Sequence, residues 1–493
     1  MSWLVVAPLL IPLAGALLAY LVPRSWIGVA GAAALLAAGT LLLVAVTRHG
    51  VLVAQIGGWP APFGISLVAD HLSAFMVALA GLLGVSVTAY ALVDVDRQHR
   101  RLGFDPLLQI LLAGTCAAFL AGDLFNLYVW FEVMLIASFA LLALAGGRRT
   151  LDGAVKFVTL NLIATILLLA AIGLLYGVTG SLNMADLHQR VQAHAQPALL
   201  SAIAIAFLVA IGVKAAIFPL FFWVPAAYPA PPVAVAAMFA GLVTKVGVYA
   251  LLRVFTLIFT HDVGYTHALM LVVAALTMVT GGLGAIAQHE FRRILAFHSI
   301  SQVGYMVLGL ALFTPLALAG AILFMAHHSV VKANLFLVSG IAARLGGSFE
   351  LDRLGGLYRA RPLLAFAFLI SGLSLAGLPP FSGFWAKLLL VQATVDRGVA
   401  LATVVALGTG LITLLSMSKI WLTVFWGPVP DNGRVRTLPS GQFARLMIPV
   451  AVLAALTLAV GLWLEPLFVL MARAAEGLLD PTAYVHAVLG VAP

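Results

Sequence analysis

Charge is what this sequence has least of. Only 9% of its 493 residues are Asp, Glu, Lys or Arg, against roughly a quarter in an ordinary soluble domain. Hydrophobic residues make up 63%. A water-soluble core cannot hide so much apolar side chain, because a folded domain keeps much of its surface in water. A soluble enzyme, a nucleic-acid binder and a disordered chain are therefore excluded. Cysteine is almost missing. Cys116 stands alone, so no intrachain disulfide and no cysteine-ligated zinc or iron–sulfur site is expected. There is no P-loop and hence no ATP-driven pump. No cofactor is expected.

What is there reads as an all-α polytopic membrane protein. Fourteen apolar stretches come near the spanning length of about 20 residues: 2–22, 26–47, 66–93, 106–121, 123–146, 153–177, 198–225, 231–258, 265–287, 294–313, 315–343, 362–395, 400–427 and 444–470. The first has no basic n-region and is expected to be a span rather than a signal peptide. The runs are continuous rather than alternating, so strands are not expected. The polar segment 181–196 should lie on the outer surface.

The net charge of +9 follows from where arginine sits. Arg24, Arg97, Arg100, Arg101, Arg148, Arg149, Arg292, Arg293, Arg344, Arg353, Arg359, Arg361, Arg434, Arg436 and Arg445 fall on one side of the fourteen spans. Arg48, Arg190, Arg253, Arg397 and Arg473 fall on the other. The basic-loop bias makes the first side cytoplasmic and both termini extracytoplasmic.

Lysine behaves differently. Lys156, Lys214, Lys245, Lys332, Lys387 and Lys419 all lie within apolar stretches. Lysine gives up its proton readily when desolvated, whereas arginine does not. Each buried lysine costs roughly 2.5–3.5 kcal/mol on insertion scales, so six of them call for a function.

Glu132 is the carboxylate at the middle of a span. Nine residues separate it from Asp123, roughly 14 Å along a helix and close to the midplane. It reads as a proton-exchanging group partnered by a buried lysine; the alternative is a static ion pair that fixes packing. Lys214 lies in AIGVKAAIFPLFFWVPAAYPAPP, where Pro219 and Pro225 break the helix and free carbonyls near the charge. Lys387 lies in SGLSLAGLPPFSGFWAKLLLVQA, interrupted by Pro379, Pro380 and Gly383. Broken helices at the midplane are a transporter feature. Residues 106–258 and 265–427 each hold five spans and one such break. Two inverted five-helix repeats are expected, because an odd number of spans turns the second unit over. The residues before them, 1–105, form a three-helix segment; 428–493 hold the last span and a tail. Lys245 in FAGLVTKVGVYALLRV is mid-span. His328 and Lys332 in FMAHHSVVKANLFLVSG are four apart and share a helix face. His298, Lys156 and Lys419 are weaker candidates; Lys156 can snorkel to the membrane surface. Sodium would prefer an oxygen cluster, so a proton path is clearer than a sodium site.

These residues resemble the proton-conducting membrane transporter family. It comprises the antiporter-like subunits of respiratory complex I, of membrane-bound hydrogenases and of Mrp cation/proton antiporters. The resemblance covers nearly the whole chain. The segments FNLYVWFEVMLIASFALLAL, KFVTLNLIATILLLAAIGLLYGVTGSLNMADL and YPAPPVAVAAMFAGLVTKVGVYALLRVFTLIF are most similar to the D-type subunits of the Mrp group. The resemblance implies a proton relay in which Glu132 is the fifth-helix glutamate and Lys214 its partner on the broken seventh helix. Lys245 is then the eighth-helix lysine, His328 with Lys332 the central relay, and Lys387 the lysine of the broken twelfth helix. It implies proton flow coupled to sodium, and partners of the Mrp A, B, C, E, F and G types in a bacterial cell membrane. The surrounding lipid bilayer, not nucleic acid, is the chain's other partner. Two other classes remain open: a proton-pumping subunit of a redox complex, and an independent carrier of a small solute.

Overall fold

The computed structural model describes residues 2–144, 146–430 and 435–490, with Arg149 described by its backbone alone. Arg434, expected on the cytoplasmic side, and the Arg149 side chain lie outside the described residues. Among the described residues, twelve helices are long and apolar enough to cross a membrane: Ser2–Leu21, Trp26–His49, His71–Asp94, Leu124–Ala143, Thr150–Thr179, Pro197–Ala215, Val233–Leu257, Val263–Ile286, Phe291–Leu312, Pro315–Gly346, Ala400–Trp426 and Ser440–Leu462. Phe104–Leu120 and Pro362–Ala376 are shorter apolar helices. Helices dominate because each satisfies its own backbone, which lipid cannot do. Their starts are set by side-chain caps. Asp70, Asp123, Asp262, Glu290 and Thr314 each accept a backbone N–H from the first turn of the helix that follows, as capping residues do.

Burial sorts these helices into a centre and a shell. Every residue in the central windows of Val233–Leu257 and Pro315–Gly346 is buried, and 89% in Phe291–Leu312. In Ser2–Leu21, Trp26–His49 and Ala400–Trp426 the figure is 33%. The helices that carry Lys245, His298, His328 and Lys332 are thus wrapped by helices whose apolar faces point outward. Lys214 and Lys387 reach the same centre from helices cut in the middle.

Two expectations need correction, those for 66–93 and 444–470, and the two expected breaks take definite positions. The stretch 66–93 does not begin as a helix: Leu52–Gln55 and Ser66–Ala69 pair as an antiparallel hairpin, and helix starts only at His71. Strands therefore do occur, as a two-stranded cap outside the spans, where backbone groups can pair without crossing lipid. The stretch 198–225 is one helix only as far as Ala215. The stretch 362–395 divides into Pro362–Ala376 and Ser382–Asp396. The stretch 444–470 divides at Trp463 into Ser440–Leu462 and Glu465–Leu479; Pro466 sits in the first turn of the new helix, a position that tolerates it. The tail continues as Thr482–Leu489 and ties to the hairpin, where Gln55 Nε2 donates to the Val488 carbonyl at 3.3 Å.

The polar segment 181–196 contains the helix Met184–Gln192. Its Met184, Leu187 and Val191 are buried, one turn apart on a single face. Arg190 pairs with Asp186 at 2.7 Å on the polar side.

Candidate functional site

Lys214 occupies the last turn of Pro197–Ala215 and is 3% exposed. The helix stops at Ala216, which adopts a left-handed conformation (φ 63°). Pro219 cannot continue the helix, because it has no N–H for the Ala215 carbonyl four residues back and its ring would clash with that carbonyl. The broken turn exposes carbonyls, and the chain answers them: Trp223 Nε1 donates to the Val213 carbonyl at 2.8 Å. The Phe218 N–H is taken by Thr277 Oγ1 at 2.9 Å. The Lys214 ammonium donates to Thr165 Oγ1 at 3.0 Å and lies 4.9 Å from the centre of the Phe131 ring. Glu132 follows Phe131, and its charge acts on Lys214. The two do not form a direct ion pair among the described residues. Glu132 Oε1 is buried and has no hydrogen-bond partner.

Lys245 is fully buried in Val233–Leu257, two residues beyond a π-helical stretch at Phe239–Val243. Its ammonium donates to the Ala240 carbonyl within that stretch. Such bulges loosen the backbone ladder and are frequent at functional sites. Two residues on, Gly247 packs directly on the Lys214 helix. A Cβ there would meet the Ala215 nitrogen at 2.4 Å, so glycine is required for this approach. That contact joins the helices that carry Lys245 and Lys214.

His328 and Lys332 are both fully buried in Pro315–Gly346. Lys332 donates to the Leu295 carbonyl at 2.6 Å. Both ring nitrogens of His328 are without a hydrogen-bond partner. The ring lies within electrostatic reach of Lys245, Lys332, His327 and His298. His298, a weaker candidate from sequence, lies near two of the stronger ones. It is fully buried, its Nε2 lies 2.6 Å from Ser416 Oγ, and both Lys332 and Lys387 act on it. His327 bonds through Nδ1 to Ser382 Oγ at 2.9 Å, at the start of the Lys387 helix.

Lys387 completes the row. Its ammonium donates to the Leu375 and Ala376 carbonyls at 3.0 and 2.9 Å. These are the last carbonyls of Pro362–Ala376, left without helical partners by the break. The lysine thus caps the half-helix that precedes its own. Its stem runs over Gly377 (φ +89°), where a Cβ would meet Lys387 Cδ at 2.6 Å. Its ammonium lies 5.0 Å from the Tyr305 ring centre. Lys387 also lines a cavity of ≈ 290 Å³ with Gly377, Phe384 and Gly410.

The two remaining lysines stand apart from this row. Lys156 pairs with Asp152 at 2.7 Å on an exposed helix face. Lys419 donates to the Ile286 and Gln288 carbonyls at 3.2 and 2.9 Å, closing the end of a neighbouring helix. Sequence reasoning missed Thr165, Ser416 and Ser382 as partners. Thr165 had one signal, a lone hydroxyl in LNLIATILLL. Among the described residues no group of three His, Cys, Asp or Glu side chains is placed to hold a metal ion.

Residues 121–413 match the family described as NADH:quinone oxidoreductase/Mrp antiporter, transmembrane. The chain is 46% identical to the D-type subunit of the Na+/H+ antiporter of Alkalihalophilus pseudofirmus, over 91% of this chain and 90% of the relative. Among solved structures it is similar to a chain of the Mrp complex of Dietzia sp., with TM-score 0.91, 35% identity and 99% of each chain covered. It is also similar to a chain of the archaeal membrane-bound sulfane sulfur reductase, with TM-score 0.92, 25% identity and 99% and 100% covered. The buried lysines and histidines described above all lie within the matched region, and the chain belongs to the NADH:quinone oxidoreductase/Mrp antiporter transmembrane family.

Proposed function

We propose that this chain is the proton-translocating subunit of a multisubunit Na+/H+ antiporter of the Mrp type. It acts as a secondary transporter in a bacterial cell membrane, with both termini extracytoplasmic and A-, B-, C-, E-, F- and G-type subunits as partners. One observation carries the reading: a row of buried basic groups, Lys214, Lys245, His328, Lys332 and Lys387, runs through the central helices and both breaks, with the half-buried Glu132 at its start. His298, buried and bonded to Ser416, adds a further imidazole near them. Buried basic groups that make so few protein contacts are costly unless they serve transport. The two inverted repeats give the row its two breaks, one in each half.

Glu132 and Lys214 start the cycle. Two unit charges about 4 Å apart attract by about 4 kcal/mol at an effective dielectric near 20. Closing the pair favours a protonated Lys214; parting it removes that attraction, and the proton leaves toward Lys245. Groups with unpaired polar atoms, such as His328, are ones that internal water can bridge. The proton passes His328 and Lys332 and reaches Lys387, which faces a cavity. Restoring the Glu132–Lys214 pair resets the row. The neutral variant Glu132→Gln removes the attraction with little change of shape. It is expected to abolish sodium-driven proton movement in membrane vesicles while the complex still assembles on a native gel. Wild-type transport by the assembled variant would defeat the proposal.

A second reading has one observation in its favour, the likeness to a chain of an archaeal respiratory complex. There the same row would be driven by a partner's electron transfer. Co-purification with redox subunits rather than antiporter subunits would select it.

A further inference from the structure

The Lys214 ammonium lies near acceptors on two different helices. Glu132 belongs to Leu124–Ala143. Thr165 belongs to Arg148–Thr179 and holds the ammonium at 3.0 Å. Thr165 is 3% exposed, as is Lys214, so water does not compete for the contact. Helical threonines often spend their hydroxyl on their own backbone, and several in this chain do, while Thr115 and Thr409 have no hydrogen-bond partner among the described residues. Thr88, Thr179, Thr256, Thr277, Thr413 and Thr457 each donate to the carbonyl four residues back. Thr165 makes no such bond among the described residues; its oxygen accepts from Lys214 instead. Meanwhile Glu132 Oε1 has no hydrogen-bond partner. This is the arrangement of a pair that has parted, with the ammonium handed to a neutral acceptor.

We propose that Thr165 is a positioning residue that holds Lys214 away from Glu132 during the cycle. The proposal rests on the proton-relay reading and deepens it. A hydroxyl suits the task because it is neutral. It accepts one hydrogen bond from the ammonium without restoring the Coulomb attraction that a carboxylate supplies. Without it, the parted state would leave a buried ammonium underbonded, and Lys214 would return to Glu132 before its proton moved on.

The test is a pair of variants in membrane vesicles carrying the whole complex. Thr165→Val keeps the shape and removes the acceptor; Thr165→Ser keeps the acceptor. Loss of a hydrogen bond to a charged group predicts that Thr165→Val lowers the maximal antiport rate about tenfold. The sodium concentration for half-maximal rate should not change, and Thr165→Ser should stay within about twofold of wild type. Wild-type rates in Thr165→Val would overturn the proposal. So would equal losses in both variants, which would mean that only packing was disturbed. Glu132→Gln and Lys214→Ala, measured alongside, keep the two ideas apart. If both remain active, the relay reading fails; if both are dead while Thr165→Val is normal, only the role of Thr165 fails.

Discussion

Lysine and arginine divide the labour of this chain. Arginine holds fixed charge at helix ends, as in the Arg253–Asp70 and Arg344–Asp94 pairs at 2.7 and 3.0 Å. Lysine goes to the interior, yet not every lysine there is equal. Lys387 is buried, caps a half-helix and lines a cavity. Lys419 is equally legible as an apolar-stretch lysine, but it only closes a neighbouring helix end. Lys156 sits in an exposed ion pair, of a kind that contributes about 0–1 kcal/mol. Lys387→Ala is therefore expected to abolish antiport, while Lys419→Ala and Lys156→Ala stay within about twofold of wild type. Vesicle assays on the three assembled variants check this, and comparable losses in all three would remove the distinction. From sequence, burial, spacing and the lone mid-span carboxylate pointed to Glu132, Lys214, Lys245, His328, Lys332 and Lys387. Ser416 was not legible, because a hydroxyl four residues from a backbone carbonyl ordinarily bonds to it, and Thr165 showed only as a lone hydroxyl in an apolar run.

At the scale of elements, the two breaks are the instructive parts. Proline announced both. Their limits were less legible, because proline acts on the helix turn before it, through its missing N–H and its clash with the carbonyl four residues back. The first helix ends at Ala215, ahead of Pro219, and the second at Ala376, ahead of Pro379. The hairpin at Leu52–Ala69 was missed for another reason: Ser66–Ala69 is apolar and runs straight into the His71 helix, so hydropathy alone cannot divide them. Glycine sets how closely the helices meet at the first break. Gly247→Ala would press a methyl group against the Ala215 backbone, which helices cannot absorb without moving apart. Overpacking of this kind typically costs about 1–3 kcal/mol. The purified variant should unfold at a lower temperature than wild type, by circular dichroism or a thiol-independent thermal assay. An unchanged midpoint would mean that the two helices have room to spare at this contact.

For the molecule as a whole, composition decided the class and burial decided the plan. Continuous apolar runs are enough to identify spans, because lipid leaves the backbone no other choice. They do not say which helix is central. Val233–Leu257 and Ser2–Leu21 are both apolar enough to span, yet one is wholly enclosed and the other mostly faces outward. The order follows from the buried lysines and histidines, which must be kept from lipid and so draw their helices inward. The central claim is that protons travel along this enclosed row. It is tested most directly in everted membrane vesicles containing the whole encoded complex, by following sodium-induced proton movement with Lys214 intact and with Lys214→Ala. Assembly is checked on a native gel. The account predicts that antiport is lost although the complex assembles. Unchanged antiport in the assembled variant would contradict it and place the proton path elsewhere.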